Sequence, residues 1–313
     1  MKYVSLDQGW SFFAEGGANI VLESAQVPGR LLRLRKFADS NPSTIEIYEF
    51  YERAFKPTLS PYLLEMELVS VQQALWENLT LSYGLKYDLN GLLIEHALYR
   101  WKDTESISTE KYNGITCFRR KILPQGQNNK DLIGSVCLEF KPKWLVQSPN
   151  APPAAKRCRT CALRAMRGKP QTFCPLDLAS GVRDRVQDAV KFLLPNGTIW
   201  STALVEYFTT CPVLRLLKHL QQKDNRGILN WQSAVDEDFL IAMAARDCTM
   251  FVEILDCKPV QSTDFEPVEV ENDTFYVRCK LTDLDLKNDH PQKRQHWASI
   301  EKDLQTYYMA SST

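Results

Sequence analysis

Two aspartate sites are the part of this sequence best suited to chemistry. Asp247 comes just before a β-branched run, and Asp283 and Asp285 lie at the end of a second such run, in the order Asp-Leu-Asp-Leu-Lys. Phosphoryl transfer needs few protein groups: a carboxylate that orients or deprotonates the attacking hydroxyl, another that holds Mg²⁺, and cations for the phosphates. An aspartate before a strand is also typical of a turn that hydrogen-bonds its own backbone. The aspartates therefore indicate phosphoryl transfer only if cations accompany them.

Lys141 and Lys143 are the first candidates for those cations. They follow the apolar run GSVCLEF, which reads as a buried strand. Side chains two residues apart in a strand point to the same face. Two ammonium groups side by side repel each other unless an anion lies between them. The pair therefore predicts an anion site.

The segment from Lys141 to Cys174 is basic throughout. It holds eight basic residues and no Asp or Glu, in a chain whose 38 basic and 38 acidic residues cancel. Such segregation predicts a local polyanion site, although a charge run is also typical of a solvated face or of a nucleic-acid patch. Interleaved aromatics are few and no nucleic-acid module is evident, so a compact ligand with many phosphates is favoured. The eight residues are Lys141, Lys143, Lys156, Arg157, Arg159, Arg164, Arg167 and Lys169.

A glycine-rich turn lies near the start of the chain. Gly16, Gly17, Ala18 and Asn19 separate two apolar runs. Glycines let backbone N–H groups approach a phosphate closely, but a Gly-Gly pair by itself is more typical of a plain hairpin. Arg33, on the following strand, stands where a protein kinase places its phosphate-pairing lysine. Together they favour a nucleotide under the turn.

The nine cysteines are scattered along the chain, which favours free thiols in a reducing compartment, either nuclear or cytoplasmic. Cys158, Cys161 and Cys174 have the spacing C-x2-C-x12-C, which suits three ligands of a structural Zn²⁺. No histidine lies close by to provide a fourth ligand. Buried thiols without a metal are the alternative.

The order of the predicted elements, strands first and then helices with a small sheet, indicates a two-lobe α+β enzyme. No signal peptide or membrane span is expected, because every apolar run is short or broken by charge. Strands are predicted at 10–24 (with a turn), 30–37, 114–123, 131–140, 248–255 and 273–286, and helices at 44–56, 60–83, 182–194, 201–222 (interrupted at Pro212) and 298–309.

Six short motifs together carry a resemblance to a known family. They are E-G-G-A-N from residue 15, L-R-L-R-K, E-F-K-P-K, the Cys-x-x-Cys segment leading into C-P-L-D-L-A-S-G, A-A-R-D-C-T-M-F and D-L-D-L-K, which ends at residue 287. In this order they resemble the inositol-pentakisphosphate 2-kinases, in their compact fungal-like form. The family's Asn-Asn-x-Arg segment corresponds here to residues 195–200, which contain no arginine.

The resemblance implies transfer of the ATP γ-phosphate to the 2-hydroxyl of inositol 1,3,4,5,6-pentakisphosphate, with ATP and Mg²⁺ as cofactors. It implies a kinase-like fold, with an N-terminal lobe carrying an antiparallel sheet, a larger helix-rich C-terminal lobe and an ATP cleft between them. We place the N-terminal lobe at residues 1–118 and the C-terminal lobe at 119–313, and expect adenine at the backbone of residues 116–119. The protein is expected to be a monomer that binds no membrane and no nucleic acid.

The resemblance implies a role for each residue that matches one of the family's motifs. Asp247 is the base or hydroxyl-orienting acid, and Asp283 holds Mg²⁺ with Asp285 assisting. Gly16, Gly17, Ala18 and Asn19 cover the ATP phosphates and Arg33 pairs with them. Substrate phosphates are bound by Lys141, Lys143, Arg164, Arg167, Lys287 and Arg294, and Lys141 also contacts the transferred phosphate. The alternatives are another inositol-phosphate kinase, whose P-x-x-x-D-x-K-x-G type motif is not found, and a non-catalytic inositol-polyphosphate or nucleic-acid binding module.

Overall fold

The computed structural model describes residues 2–36, 41–83, 87–99, 107–122, 133–194, 199–231, 234–259 and 264–310. These residues form helices and two β-sheets, which confirms the α+β class. The chain divides into two units. The first comprises Met1–Asp103 and Asp285–Asn288, and the second comprises Thr104–Leu284 and Asp289–Thr313.

The first unit is built on a six-stranded sheet with the strand order β1-β5-β6-β4-β3-β2. Its strands are β1 (Lys2–Val4), β2 (Ser11–Glu15), β3 (Asn19–Glu23), β4 (Arg30–Lys36), β5 (Met66–Val71) and β6 (Tyr87–Glu95). The predicted strands at 10–24 and 30–37 are confirmed as β2, β3 and β4. Leu32 and Leu34 are buried, as their alternation predicts, but Arg33 and Arg35 on the other face are buried as well.

Three helices accompany this sheet: α1 (Thr44–Ala54), α2 (Lys56–Leu59) and α3 (Gln73–Tyr83). Helix α1 starts where the sequence predicts because Ser43 and Glu46 form a reciprocal capping box around its first turn. The predicted helix at 60–83 is wrong for residues 66–71, which form β5. There, Val69 and Val71 are buried, and the strand pairs with β1 on one side and β6 on the other. Sheet pairing overrides an apolar spacing that a short window cannot distinguish from a helix.

The second unit contains a six-stranded antiparallel sheet with the order β11-β12-β10-β9-β8-β7. Its strands are β7 (Ile107–Tyr112), β8 (Ile115–Ile122), β9 (Ile133–Phe140), β10 (Thr249–Leu255), β11 (Glu266–Val270) and β12 (Asp273–Thr282). Strands β8, β9, β10 and β12 confirm the predictions at 114–123, 131–140, 248–255 and 273–286. The last of these ends at Thr282, earlier than predicted.

Seven α-helices are described in the second unit. They are α4 (Arg159–Met166), α5 (Pro175–Leu178), α6 (Arg183–Leu193), α7 (Ile199–Thr210), α8 (Pro212–Gln221), α9 (Glu237–Ala245) and α10 (Pro291–Met309). The predicted interruption at Pro212 is confirmed, because this proline opens α8 after α7 has ended. Asp236 caps the N-terminus of helix α9, where its side chain accepts a hydrogen bond from the Phe239 N–H. Among the described residues, no helix is long and apolar enough to cross a membrane.

Strands β7 and β8 belong to the second unit, whereas the sequence-based boundary assigns residues 104–118 to the N-terminal lobe. The expectation that adenine meets the backbone of residues 116–119 is wrong. This segment lies inside β8, between β7 and β9, and its residues are in register with strands on both sides. Its backbone groups therefore already have partners in the sheet.

Candidate active site

Three strand ends meet at one edge of the second sheet. Phe140, the last residue of β9, lies opposite Met250, and Thr249, the first residue of β10, lies opposite Thr282, the last residue of β12. The residues just beyond these ends are the lysine pair, Asp247 and Asp283. Antiparallel pairing thus brings together four predicted site residues that are far apart in sequence.

Lys141 and Lys143 follow β9 and do not continue it, so their common direction does not come from strand alternation. Lys143 has a backbone φ of 61°, a left-handed conformation that is uncommon for a residue other than glycine. Its Nζ nevertheless lies 3.0 Å from Asp247 Oδ1, and Lys141 Nζ lies 3.6 Å from the same oxygen. Both ammonium groups therefore reach one carboxylate.

Asp247 follows α9 in a tight turn, in which its N–H donates to the Ala244 carbonyl. Its backbone carbonyl accepts a hydrogen bond of 2.7 Å from Lys141 Nζ. The Asp247 side chain is 46% exposed, so a ligand can reach it. Lys141 thus fixes the backbone of the turn, and Lys143 contacts the carboxylate that the turn presents.

Asp283 is placed directly after β12, with a φ of 62°. One oxygen, Oδ2, accepts a hydrogen bond of 2.5 Å from the Thr249 hydroxyl and lies 3.6 Å from Lys141 Nζ. Lys141 Nζ therefore lies at the same distance from the carboxylates of Asp247 and Asp283 and bridges them. Lys143 and Asp283 both have left-handed backbone conformations, which are unfavourable for these residue types and persist only where the surrounding contacts determine the backbone.

Glu139 is a member of this site that the sequence analysis did not assign. Burial and the Asp283 carboxylate raise the pKa of Glu139, whereas Lys111 and Lys141 oppose the increase. In the sheet it lies opposite Phe251 and Thr116. Glu139 is the first residue of the E-F-K-P-K motif, and this motif is the signal from which the sequence analysis could have assigned it to the site. The site therefore combines three carboxyl groups with two flanking lysines.

The glycine-rich turn belongs to the first unit and joins β2 to β3. The Gly16 N–H donates to the Asn19 carbonyl at 2.9 Å, and the Lys36 N–H donates to the Ala18 carbonyl at 2.9 Å. Lys36 Nζ contacts Glu15 and the Gly16 carbonyl. A Cβ added at Gly16 or Gly17 would meet no described atom within 4 Å. The fold of the first unit therefore leaves space over both glycines.

This space gives a first prediction, for the variant Gly16→Ala. Gly16 has no left-handed φ and no close neighbour, so the free energy of unfolding should stay within about 0.5 kcal/mol of the original protein. If the turn covers phosphates, the added methyl group should raise the KM for ATP about tenfold, or about 1.4 kcal/mol. Steady-state kinetics at saturating acceptor, together with thermal unfolding, measure both quantities.

Gly91→Ala is the contrasting variant. Its Cβ would lie 2.9 Å from Leu32 Cδ1 and from Leu34 Cδ2 in the core. Overpacking of this kind costs about 1–3 kcal/mol of stability. An unchanged KM for ATP in Gly16→Ala would remove the turn from nucleotide binding.

Arg33 and Asp285 form an ion pair in the first unit. Arg33 donates a hydrogen bond of 2.8 Å to Asp285 Oδ1, and the two side chains are 7% and 18% exposed. Arg33, Lys287 and Arg35 lower the pKa of Asp285 against the effect of its burial. Asp285 and Lys287 belong to the first unit, whereas Asp283 belongs to the second. Asp285 therefore already neutralises a buried arginine.

The remaining predicted substrate contacts lie on two helices of the second unit. Arg164 is half-buried on α4, where burial lowers its pKa and the neighbouring Cys161 and Cys158 oppose that effect. Arg167 is exposed just after α4, and Arg294 is half-buried in the first turn of α10. Of residues 195–200, where the family arginine is missing, only Ile199 and Trp200 lie within the described part of the chain.

The three cysteines with metal-ligand spacing come together in the second unit. The sulfur atoms of Cys158, Cys161 and Cys174 all lie within 4.8 Å of one another. Cys158 caps the N-terminus of α4, where its Sγ accepts a hydrogen bond from the Cys161 N–H. Hydrogen bonds with the Cys158 and Cys174 thiols lower the pKa of Cys161 to about 4. The group borders a cavity of about 710 Å³ that is also lined by Arg164 and Asp177.

Comparison with known proteins finds one family along most of the chain. The family described as inositol-pentakisphosphate 2-kinase matches residues 12–303. A relative of that name from Yarrowia lipolytica is 31% identical over 300 residues, which cover 94% of this chain and 90% of the relative. Relatives of the same name from Debaryomyces hansenii and Eremothecium gossypii are 28% and 23% identical, covering 97% and 94% of this chain and 92% and 96% of theirs.

The α+β fold and the two carboxylates bridged by a lysine are compatible with a phosphotransferase of the kinase-like class. The chain belongs to the inositol-pentakisphosphate 2-kinase family, because the family match spans most of its length. It is therefore an enzyme, a kinase that uses ATP to phosphorylate inositol pentakisphosphate to the hexakisphosphate. The comparisons give no support to the non-catalytic binding module.

Proposed function

We propose that the edge of the second sheet is where the acceptor hydroxyl reacts, with Asp247 as the group that orients or deprotonates it. The observation that carries the proposal is the contact of Lys141 with both Asp247 and Asp283. A hydroxyl becomes a better nucleophile when a carboxylate accepts its proton, and it then attacks the terminal phosphorus of ATP, whose bond to the bridging oxygen breaks. The 2-hydroxyl of inositol 1,3,4,5,6-pentakisphosphate is the position that lacks a phosphate.

Lys141 and Lys143 bind phosphate oxygens in this proposal. Their ammonium groups contact Asp247, and both side chains are about one-third exposed. An incoming phosphate brings more negative charge than a carboxylate and takes over part of these contacts. Lys141, between the two acids, is placed to follow the phosphoryl group as it moves. The lysine pair recognised in the sequence is thus the anion site of the acceptor.

Asp283 holds Mg²⁺ in this proposal. Its carboxylate oxygens are the hard ligands that this ion prefers, and the Thr249 hydroxyl fixes their orientation. When bound, Mg²⁺ neutralises charge on the ATP phosphates. The turn at Gly16–Asn19 and Arg33 serve the ATP phosphates, and Arg164, Arg167, Lys287 and Arg294 serve the acceptor. Asp285 keeps Arg33 oriented and assists Asp283 only if that pair opens.

The test is an assay of the purified protein with Mg-ATP and inositol pentakisphosphate, with the product separated by ion-exchange chromatography. We expect hexakisphosphate, and we expect Lys141→Ala and Lys143→Ala to raise the KM for the acceptor more than the KM for ATP. The KM for the acceptor should also rise steeply with ionic strength, because clustered charges are screened by salt.

Lys191→Ala is the control for the lysine variants, since Lys191 pairs with Asp188 on an exposed helix face. It should leave both KM values unchanged. Binding of the acceptor with return of unphosphorylated pentakisphosphate would identify a binding module instead of an enzyme. Equal losses for acceptor and ATP would contradict the role given to the lysines.

A structural Zn²⁺ at Cys158, Cys161 and Cys174 is a further part of the proposal. Three thiol sulfurs within 4.8 Å of one another match three corners of a tetrahedral thiolate site. The fourth ligand would be a water molecule, because no carboxylate or imidazole among the described residues lies within 4.8 Å of all three sulfur atoms. Zinc held there would tie α4 to the start of α5 and would stabilise the fold without taking part in the reaction. Three thiols without a metal, of which Cys158 is buried and the other two are half-buried, are the competing interpretation.

Metal analysis decides between these interpretations. We expect one Zn²⁺ per chain by mass spectrometry of the purified protein, and a lower melting temperature after chelation because the metal links folding to binding. Cys174→Ser should lose the metal, whereas Cys257→Ser, at an exposed cysteine outside the cluster, should retain it. Absence of zinc together with an unchanged melting temperature in chelator would establish metal-free thiols.

The protein is proposed to act as a monomer in the nucleus or cytoplasm. The lysine–aspartate site needs residues of one chain only. None of the nine cysteines, all within the described residues, is in a disulfide, which supports a reducing compartment.

A further inference from the structure

One buried glutamine connects the two halves of the lysine–aspartate site. Gln221, the last residue of α8, has no exposed surface. Its side-chain Nε2 donates hydrogen bonds to the Lys143 carbonyl at 2.8 Å and to the Ala245 carbonyl at 3.2 Å. Its Oε1 accepts a hydrogen bond of 2.7 Å from the Leu145 N–H. The partners lie on the segment that carries Lys143 and on the end of α9, two residues before Asp247.

The chemistry of these partners suits an amide and no other common side chain of this length. Two backbone carbonyls require two donors and one N–H requires an acceptor, which a glutamine amide provides in a single orientation. Glutamate would direct a carboxylate oxygen at two carbonyl oxygens, and methionine would remove all three hydrogen bonds that the amide makes. Gln221 thus has a specific role in this part of the second unit.

A second contact joins the same two segments. Trp144, between Lys143 and Leu145, lies under the guanidinium of Arg246, whose central carbon is 3.8 Å from the ring centroid. Arg246 precedes Asp247 and donates a hydrogen bond of 3.0 Å to the backbone carbonyl of Gln221. The residues next to Lys143 and next to Asp247 are therefore held against each other from both sides.

We call the Gln221 hydrogen bonds and the Trp144–Arg246 contact the clamp. The backbone of Lys143 shows why the clamp is needed. A φ of 61° is unfavourable for lysine and persists only where neighbouring contacts determine it. Gln221 bonds the carbonyl of Lys143 and the N–H of Leu145, which are the backbone groups that follow this strained residue. Releasing them would let Lys143 return to an ordinary conformation and move its ammonium group away from Asp247.

We infer that Gln221 is a positioning residue for phosphoryl transfer, which acts by holding Lys143 against Asp247 and touches neither substrate. This inference rests on the roles proposed above for those two residues. A displacement of about 1 Å at reacting groups lowers rates by about a hundredfold, so a loss of 10- to 100-fold in kcat/KM for the inositol phosphate is expected when the clamp is removed. The KM for ATP should change less than twofold, since the clamp lies at the acceptor side of the proposed site.

A double-mutant cycle provides the test. Wild-type protein, Gln221→Met, Lys143→Ala and the double variant are assayed with Mg-ATP and inositol pentakisphosphate, below their measured melting temperatures. We expect Gln221→Met to lower kcat/KM strongly in the wild-type background and by less than threefold when Lys143 is already alanine. A purely structural role would lower both backgrounds by the same factor. If Gln221→Met does not yield folded protein, Gln221→Asn replaces it in the same cycle.

Gln305→Met is the matched control. Gln305 Nε2 also donates to two backbone carbonyls, of Asn150 at 3.0 Å and of Glu301 at 3.1 Å, but on helix α10. It should lower the melting temperature and leave kcat/KM within twofold. Wild-type rates in Gln221→Met, or equal losses in both backgrounds, would overturn the clamp. Wild-type rates in Lys143→Ala would instead overturn the role proposed for Lys143, so the two failures are distinguishable.

Discussion

Asp247→Asn should lower kcat about 10²- to 10⁴-fold, the range that a positioned general base contributes, which is about 3–5 kcal/mol of transition-state stabilisation. The substituted amide keeps the size of the side chain but cannot accept the proton of the attacking hydroxyl. Lys141 would retain its hydrogen bond, because it donates to the backbone carbonyl of Asp247. The side chain is nearly half exposed, so the fold should be unaffected. The measurement is kcat for hexakisphosphate formation at saturating ATP and acceptor.

Asp238→Asn is the matched control for this variant. Asp238 Oδ1 lies 3.0 Å from Lys223 Nζ, the same separation as in the Asp247–Lys143 pair, and its side chain is 55% exposed. It lies at the start of α9, at the opposite end of that helix from Asp247. Its removal should leave kcat within twofold of the original. Turnover near the original rate in Asp247→Asn would take Asp247 out of the mechanism and require another acceptor for the proton.

Asp283→Asn should have the second largest effect, through the metal ion. A bound metal that neutralises developing charge is worth several kcal/mol, so we expect kcat to fall about 100- to 1,000-fold at a fixed Mg²⁺ concentration. The neutral amide can still accept the hydrogen bond from Thr249. Its oxygen is a weaker ligand for a hard cation. The dependence of the rate on Mg²⁺ concentration should therefore shift to higher concentration, which separates loss of the metal from loss of the fold.

Asp264→Asn provides the comparison for Asp283. Asp264 pairs with Lys280 at 3.2 Å, and its side chain is 47% exposed, close to the 45% of Asp283. Its neutralisation should leave the Mg²⁺ dependence unchanged. A reduced kcat in Asp283→Asn with the original Mg²⁺ dependence would assign to Asp283 an electrostatic role without metal binding.

Local sequence pattern predicted many of the elements. Alternating residues in RLLRLRK and the β-branched runs at 249–255 and 273–282 form strands as expected, and Pro212 separates two helices. These features are local, because side-chain periodicity and the missing N–H of proline act over a few residues. The same local information failed at residues 66–71, where pairing with β1 and β6 decided the conformation.

Local sequence pattern predicted less of the candidate site than of the fold. The order of the motifs predicted Lys141, Lys143, Asp247 and Asp283 as site residues. Strand alternation, however, does not explain why these four residues lie close together. Lys143 lies beyond β9 in a left-handed conformation. Gln221 has no motif of its own, and its function depends on three backbone partners from two distant segments. Hydrogen bonds between distant segments leave no periodic signal in a sequence.

The sequence by itself determined which residue types were present for phosphoryl transfer, and it determined the strands and helices whose signals are local. Tertiary structure alone decided that the ends of β9, β10 and β12 lie at one edge of the sheet. It also decided that Asp285 pairs with Arg33 and that Gln221 holds Lys143 near Asp247. The physical reason is that each of these arrangements depends on contacts between residues remote along the chain, which no local pattern of residue types encodes.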